Sequence, residues 1–274
     1  MTPAMQRREN GRLVTYVFPH LKAVGLHHAI STRLGGQSQG PFASLNLSYS
    51  VGDDQDDVAA NRRLFYAAAD VQEGSVVSSH QVHGANVCRV GRQARGRGAI
   101  QPGTAIPATD ALITDDRGTY LFMRYADCVP ILLCDPVKRA VALVHAGWKG
   151  TVGNIVGATV KTMCRVFGCQ TQDILAGIGP AVGPCHYAIQ QDVSSQVRSA
   201  LSFWPFVLHR GADDSLVMDL PEANVYQLLA AGLHQANVAL SGICTACHSD
   251  EFYSHRAEGG RTGRFAALVG WPTK

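Results

Sequence analysis

Charge is scarce in this sequence. Charged residues make up 16% of the chain, well below the ~25% of average soluble proteins. Lys+Arg number 24 against Asp+Glu 21, a formal charge of +3 with no basic run, so neither a nucleic acid nor an anionic membrane is expected as a partner. No apolar stretch nears the ~18 residues that suggest a membrane span. The opening MTPAMQRRENGR has no apolar segment behind it, so no secretory signal is read there and a cytoplasmic protein is expected. No glycine fingerprint for a dinucleotide and no P-loop occurs, and there is no internal repeat. What the chain does have is apolar material: 46% of 274 residues, enough for one large core or two fused ones.

Residues 13–31 cluster apolar groups as paired strands do, before the turn-rich stretch TRLGGQSQGPFASLNLS, a loop long enough to suspect of function. Asp53 to Asp57 open a predicted helix, with acidic residues at its positive end. Strands are predicted at 74–79 and 85–90, and 91–107, rich in Gly, Arg and Pro, reads as a mobile surface loop. From 109 to 145 strand follows strand, predicting a central sheet. GTVGNIVGATVKTMCRVF then repeats apolar positions at the spacing of one amphipathic helix. A strand at ILAGIGP, helices near QDVSSQVRSAL and PEANVYQLLAAGLHQA, and strands at VALSGI and RFAALVGW complete an α+β pattern.

Eight cysteines in a chain that needs no staples read mostly as small buried residues, with a minority doing chemistry. Cys128, before the run VPILL, and His145, after AVALV, fall at the same end of a predicted hairpin. His83, in the turn HQVHG, is placed to converge on the same edge. Two imidazoles and a thiolate suit zinc with a fourth position open. Two other readings stand beside it: a Cys128–His145 nucleophilic dyad, and a core cysteine beside a histidine that caps a strand. Asp127 is read as orienting a ligand, taking a substrate proton or capping the strand. Arg33, Arg256, Arg261 and Arg264 are candidates for an anion pocket, because guanidinium forks onto phosphate and nearby glycines let backbone N–H approach. Solvated loop arginines are the plain alternative. Cys244-Thr-Ala-Cys247-His248 matches a haem-attachment pattern, but without an export signal it is read as two packed thiols or an incidental metal or disulfide pair.

The phrases TRLGGQSQGPFASLNLS, HQVHG, ATDALITD, ADCVPILL, HAGWKGT, GIGP with PCHYAI, and FYSHR followed by TGRFA occur together and in order. They resemble the laccase-domain protein family, also labelled polyphenol oxidases, from about residue 28 to the C-terminus. The resemblance implies a purine nucleoside phosphorylase acting on adenosine and inosine, with methylthioadenosine phosphorolysis and adenosine deamination also ascribed to the family. It implies zinc held by His83, Cys128 and His145, with copper as an alternative. It moves Arg33, Arg264 and Asn46 toward substrate and phosphate binding, with Arg256 beside them, and leaves Arg261 as a loop residue. The family has also been described as oxidising phenols with copper and as editing peptidoglycan precursors; none of the eleven histidines forms a His-x-His pair, which weakens the multicopper reading. A Cys–His amide hydrolase and a non-catalytic metal-binding protein are the remaining rivals. The fold implied is a single domain over 1–274, with 1–12 as a polar tail: two mixed β-sheets packed together and flanked by helices, similar to toxin-type cysteine deamidases.

Overall fold

The computed structural model describes residues 4–211 and 213–273. The chain begins with β1 (Gln6–Asn10), β2 (Leu13–Val17), α1 (Pro19–Ala23), β3 (His27–Ser31), α2 (Gln55–Ala68), β4 (Val76–Ser78) and β5 (Val87–Arg89). It continues through β6 (Ala111–Thr114), β7 (Tyr120–Tyr125), β8 (Val129–Asp135), β9 (Ala140–Ala146), α3 (Trp148–Val152) and α4 (Ile155–Phe167). The last part holds β10 (Leu175–Ile178), α5 (Gln191–Ala200), β11 (Leu208–Arg210), β12 (Leu216–Met218), α6 (Leu220–Ala230), β13 (Val238–Leu240) and β14 (Phe265–Gly270).

Two six-stranded sheets result, ordered β1-β2-β3-β14-β7-β4 and β13-β10-β8-β9-β6-β5, with β11 and β12 as a separate pair. Each is mixed: β4 runs parallel to β7 in the first, and β5 to β6 and β13 to β10 in the second, among antiparallel neighbours. Side chains alternate along the central hairpin as the pleat requires. Val129, Ile131 and Leu133 pack with Val156, Val160 and Met163 of α4. Leu132, Cys134, Val141 and Leu143 instead meet Leu121, Met123, Ala267 and Val269 of the other sheet. The far face of the first sheet, Phe122 and Leu268, is covered by Phe65 and Tyr66 of α2. The layers are therefore helix, sheet, sheet, helix, the expected α+β arrangement. No helix is long and apolar enough to cross a membrane among the described residues.

Four local expectations change. The polar tail at 1–12 is in part a strand: β1 pairs with β2 across a two-residue loop, where Gly11 takes a φ of +62°, which a tight hairpin loop favours. Residues 1–3 lie outside the described residues. The segment 91–107 is tied down rather than loose, because the buried Arg62 of α2 donates to the carbonyls of Gly98 and Ala99 at 2.7 and 2.8 Å, and Ala94, Ala99 and Ile106 are buried. The predicted single helix after His145 is two, since Asn154 adopts a left-handed φ of +54° and caps α4 through the Gly157 N–H. And 109–145 does not form one sheet. The link 115–119 carries the chain out to β7 in the first sheet, and Ala126-Asp127-Cys128 brings it back to β8 in the second. The residues singled out by sequence sit at that return crossing.

A candidate metal and substrate site between the sheets

β8 and β9 pair antiparallel with Pro130 opposite His145, which puts Cys128 and His145 at one end of the hairpin. His83 reaches them from the turn between β4 and β5. The ligand atoms of His83, Cys128 and His145 all lie within 4.8 Å of one another, and the two imidazole rings meet edge to face at 4.9 Å. The backbone is bent to allow this: His83 and Asp127 have φ of +61° and +83°, conformations that cost a non-glycine residue free energy and are held by the surroundings. Gly147 must be glycine here, because a Cβ would stand 2.9 Å from the Cys128 sulfur.

The residue that assembles the trio is one that sequence reasoning missed. Asp110, fully buried, accepts the backbone N–H of Val82, His83 and Gly84 at 3.1, 2.9 and 2.9 Å, and meets His145 Nδ1 at 2.9 Å. Burial alone would raise its carboxyl, but His145 and the backbone donors outweigh that and hold it below its ordinary value. One carboxylate thus fixes the turn that carries His83 and the tautomer of His145, leaving Nε2 as the nitrogen available to a metal. Burial likewise opposes charge on Cys128 and His145, yet each stabilises the other's charged form: the thiol is held down to about 6 and the imidazole, also paired with Asp110, is pushed up to about 9. Both shifts favour a thiolate beside an imidazolium when no metal is bound.

Two cavities meet at the trio and share His83, Asp127, Cys128, Trp148 and Tyr187. One, about 320 Å³, continues into Val82, Val182 and Leu220 and is mostly apolar. The other, about 510 Å³, is lined by Arg124, Arg256, Arg264, His80, His255 and Ser50. A larger cavity of about 630 Å³ beside α4 and α6 contains neither histidine nor carboxylate, so volume does not mark the site; the convergent polar groups do.

The remaining predicted residues divide. Asp127 accepts from Thr245 Oγ1, Ser254 Oγ and the Arg256 N–H at 2.7, 2.7 and 2.6 Å, so it ties three loop positions to the crossing that presents Cys128. Arg256 and Arg264 line the polar cavity; Arg256 lies over Tyr187 at 5.1 Å, and Arg264 spends Nη1 on the carbonyls of Thr262 and Gly263. Asn46 is buried behind them and accepts the Arg264 N–H at 2.9 Å, positioning that arginine instead of facing the cavity. Arg33 is not brought to the cavity. Its guanidinium donates to the carbonyls of Ala43 and Ser249, pairs with Glu258 at 3.0 Å and stacks on Tyr253, because the loop it starts folds back on the C-terminal segment. In its place stands Arg124, near the end of β7, whose charge burial disfavours, down to about 9, and which has no carboxylate partner among the described residues. Its only signal in the sequence is a lone arginine inside the apolar run TYLFMRYAD.

The architecture and the trio define a single-domain, two-sheet protein with a His₂Cys centre at the sheet junction. The family model described as "Multi-copper polyphenol oxidoreductase laccase" matches residues 27–272, and the chain belongs to that family. It is 40% identical, over 88% of each chain, to "Purine nucleoside phosphorylase YlmD" of Geobacillus stearothermophilus. The crystal structure of YlmD from that organism superposes with a TM-score of 0.93 at 38% identity, covering 98% of this chain and 99% of that one. A relative named "Adenosine deaminase RL5", from an unknown prokaryotic organism, is 32% identical over 89% of this chain and 93% of its own length.

Proposed function

We propose that the chain is a purine nucleoside phosphorylase: it cleaves adenosine, inosine or methylthioadenosine with phosphate, giving the free base and the corresponding ribose 1-phosphate. The observation that carries this is the meeting of an apolar, aromatic-walled cavity with an arginine-lined one at a His₂Cys trio. The names of the relatives support it. Trp148 and Tyr187 offer flat faces to a purine, while Arg124, Arg256 and Arg264 gather charge for a phosphate dianion. Bringing the two reactants together in one shielded space removes much of the entropic barrier. A phosphate oxygen then bonds to C1′ as the bond to the purine nitrogen breaks, and the base leaves with that electron pair and takes up a proton.

The donor set fits zinc, since two imidazoles and a thiolate converge within ligand distance and Asp110 already orients one imidazole. Zinc held by His83, Cys128 and His145 would supply Lewis-acid polarisation of a substrate atom. The same donors suit copper, and elemental analysis separates the two.

Incubation with inosine and phosphate tests the reading. Hypoxanthine and ribose 1-phosphate are expected, with base release nearly abolished when phosphate is omitted; free ribose at an undiminished rate makes the enzyme a hydrolase instead. Conversion of adenosine to inosine measures the deaminase activity that the second relative's name suggests. One observation favours a second reading: Cys128, His145 and Asp110 stand in the order of a thiol hydrolase. Thiol-sensitive amide hydrolysis by metal-free protein, with no reaction on nucleosides, would establish it.

A further inference from the structure

A second cluster of metal-binding side chains stands outside the substrate cavities. Cys185 and His186 come from the loop after β10, and Cys244 and Cys247 from the loop after β13; their four ligand atoms lie within 4.8 Å of one another. His186 Nδ1 is 3.3, 3.8 and 3.5 Å from the sulfurs of Cys185, Cys244 and Cys247, and the Cys185 and Cys247 sulfurs are 3.5 Å apart. A tetrahedral zinc ion at ordinary bond lengths separates two thiolates by about 3.8 Å and a thiolate from an imidazole nitrogen by about 3.6 Å. The spacing fits that polyhedron, with the nitrogen at one vertex facing three sulfurs. It does not fit a disulfide, whose sulfurs would be about 2.05 Å apart.

Packing gives no reason for the arrangement. Free cysteine is among the most buried residue types, yet Cys185 and Cys247 are exposed and touch each other. The Gly183 N–H points at the Cys244 sulfur from 3.2 Å, a donor suited to a thiolate. The two loops are registered by backbone bonds, Ala181 N–H to Ile243 O at 3.2 Å and Thr245 N–H to Ala181 O at 3.0 Å, which bring the four ligands together before any metal enters.

We propose that Cys185, His186, Cys244 and Cys247 hold a second zinc ion, in a closed four-ligand site that staples these loops. Three thiolates and one imidazole favour zinc over harder cations and leave no position for substrate. The staple bears on the cavity wall. The Val182 N–H donates to the Asp127 carbonyl at 3.0 Å, and Val182 and Tyr187 line the apolar cavity. Thr245, between the two cysteines of the second loop, donates to the Asp127 carboxylate.

Metal counting on protein purified without chelators or an affinity metal column tests this, and its readout is independent of turnover, so its failure and that of the phosphorylase reading are distinguishable. Cys128→Ser/His145→Ala is expected to retain about one zinc per chain, with three sulfurs and one nitrogen around it by X-ray absorption. Cys244→Ser/Cys247→Ser is expected to lose that signature. Should either variant fail to fold, the native chain decides: Cys185, Cys244 and Cys247 should resist iodoacetamide until a strong chelator is added. Immediate alkylation of Cys185 and Cys247 in native protein, a Cys185–Cys247 disulfide in freshly reduced protein, iron in place of zinc, or no three-sulfur zinc in Cys128→Ser/His145→Ala overturns the proposal.

Discussion

The two cysteine–histidine clusters of this protein use the same side chains for opposite ends. His83, Cys128 and His145 supply three ligand atoms, lie against two cavities and depend on a buried carboxylate for their orientation. Cys185, His186, Cys244 and Cys247 supply four, none of them among the residues lining those cavities. An open coordination position beside shaped space is what catalysis requires, whereas a complete tetrahedron suits holding loops together. Ligand count and the space beside the ligands separate the roles, and residue type does not.

The sharpest way to break the comparison is to remove one ligand of the trio. Cys128→Ser should lower nucleoside cleavage by at least about a hundredfold while the other cluster keeps its metal; activity near that of the native chain would mean the trio is not the reactive centre. Asp110→Asn should weaken metal binding at the trio by about ten- to a hundredfold, measured by competition with a chromophoric chelator, because its amide must donate where the carboxylate accepts. Among the described residues no carboxylate bonds to the other cluster, which should be unaffected.

Arg264→Ala should raise the phosphate KM by about tenfold or more, the worth of a charge-assisted hydrogen bond, with a smaller effect on nucleoside KM. Arg33→Lys provides the contrast. With its donors committed to Ala43, Ser249 and Glu258, it should lower the melting temperature and leave phosphate KM within about twofold. Equal, phosphate-selective defects in both would return Arg33 to the cavity.

These contrasts follow what the sequence could and could not express. Cys128 and His145 were legible because a four-residue link, 136–139, forces β8 and β9 to pair, and pairing brings their ends together. The two-sheet arrangement was implied by family resemblance, while the strand run alone suggested one sheet; nothing in 109–145 marks β7 as crossing except the turn residues Asp115 to Gly118 and Ala126 to Cys128. Asp110 was hidden inside the quoted phrase ATDALITD, where a carboxylate directly before an apolar strand was the only hint. Arg33 was misleading for a physical reason: a glycine-flanked arginine suits an anion and suits backbone carbonyls equally well, and only the fold of the loop chooses. The second cluster was half visible as Cys-x-x-Cys. Its other half lies some 60 residues earlier, where an adjacent Cys-His pair matches no compact metal pattern.

The smallest expected effect asks whether the two clusters communicate. Thr245 is the residue that belongs to both neighbourhoods: it sits between Cys244 and Cys247, and its hydroxyl donates to Asp127 Oδ1 at 2.7 Å, beside Cys128. Thr245→Val keeps the shape and removes the hydroxyl. Asp127 would keep the Ser254 and Arg256 donors, so the loss should be about 1.5–3 kcal/mol of stability, the worth of one buried hydrogen bond to a charged group. If the surface cluster supports the cavity through this contact, kcat should fall by a few-fold while both metals remain bound, because Asp127 would then hold its left-handed turn less firmly. The Ser substitution, which restores the hydroxyl, should recover kcat although it loses a buried methyl. A kcat unchanged in Thr245→Val would show that the clusters act separately, with the surface site bearing on stability alone.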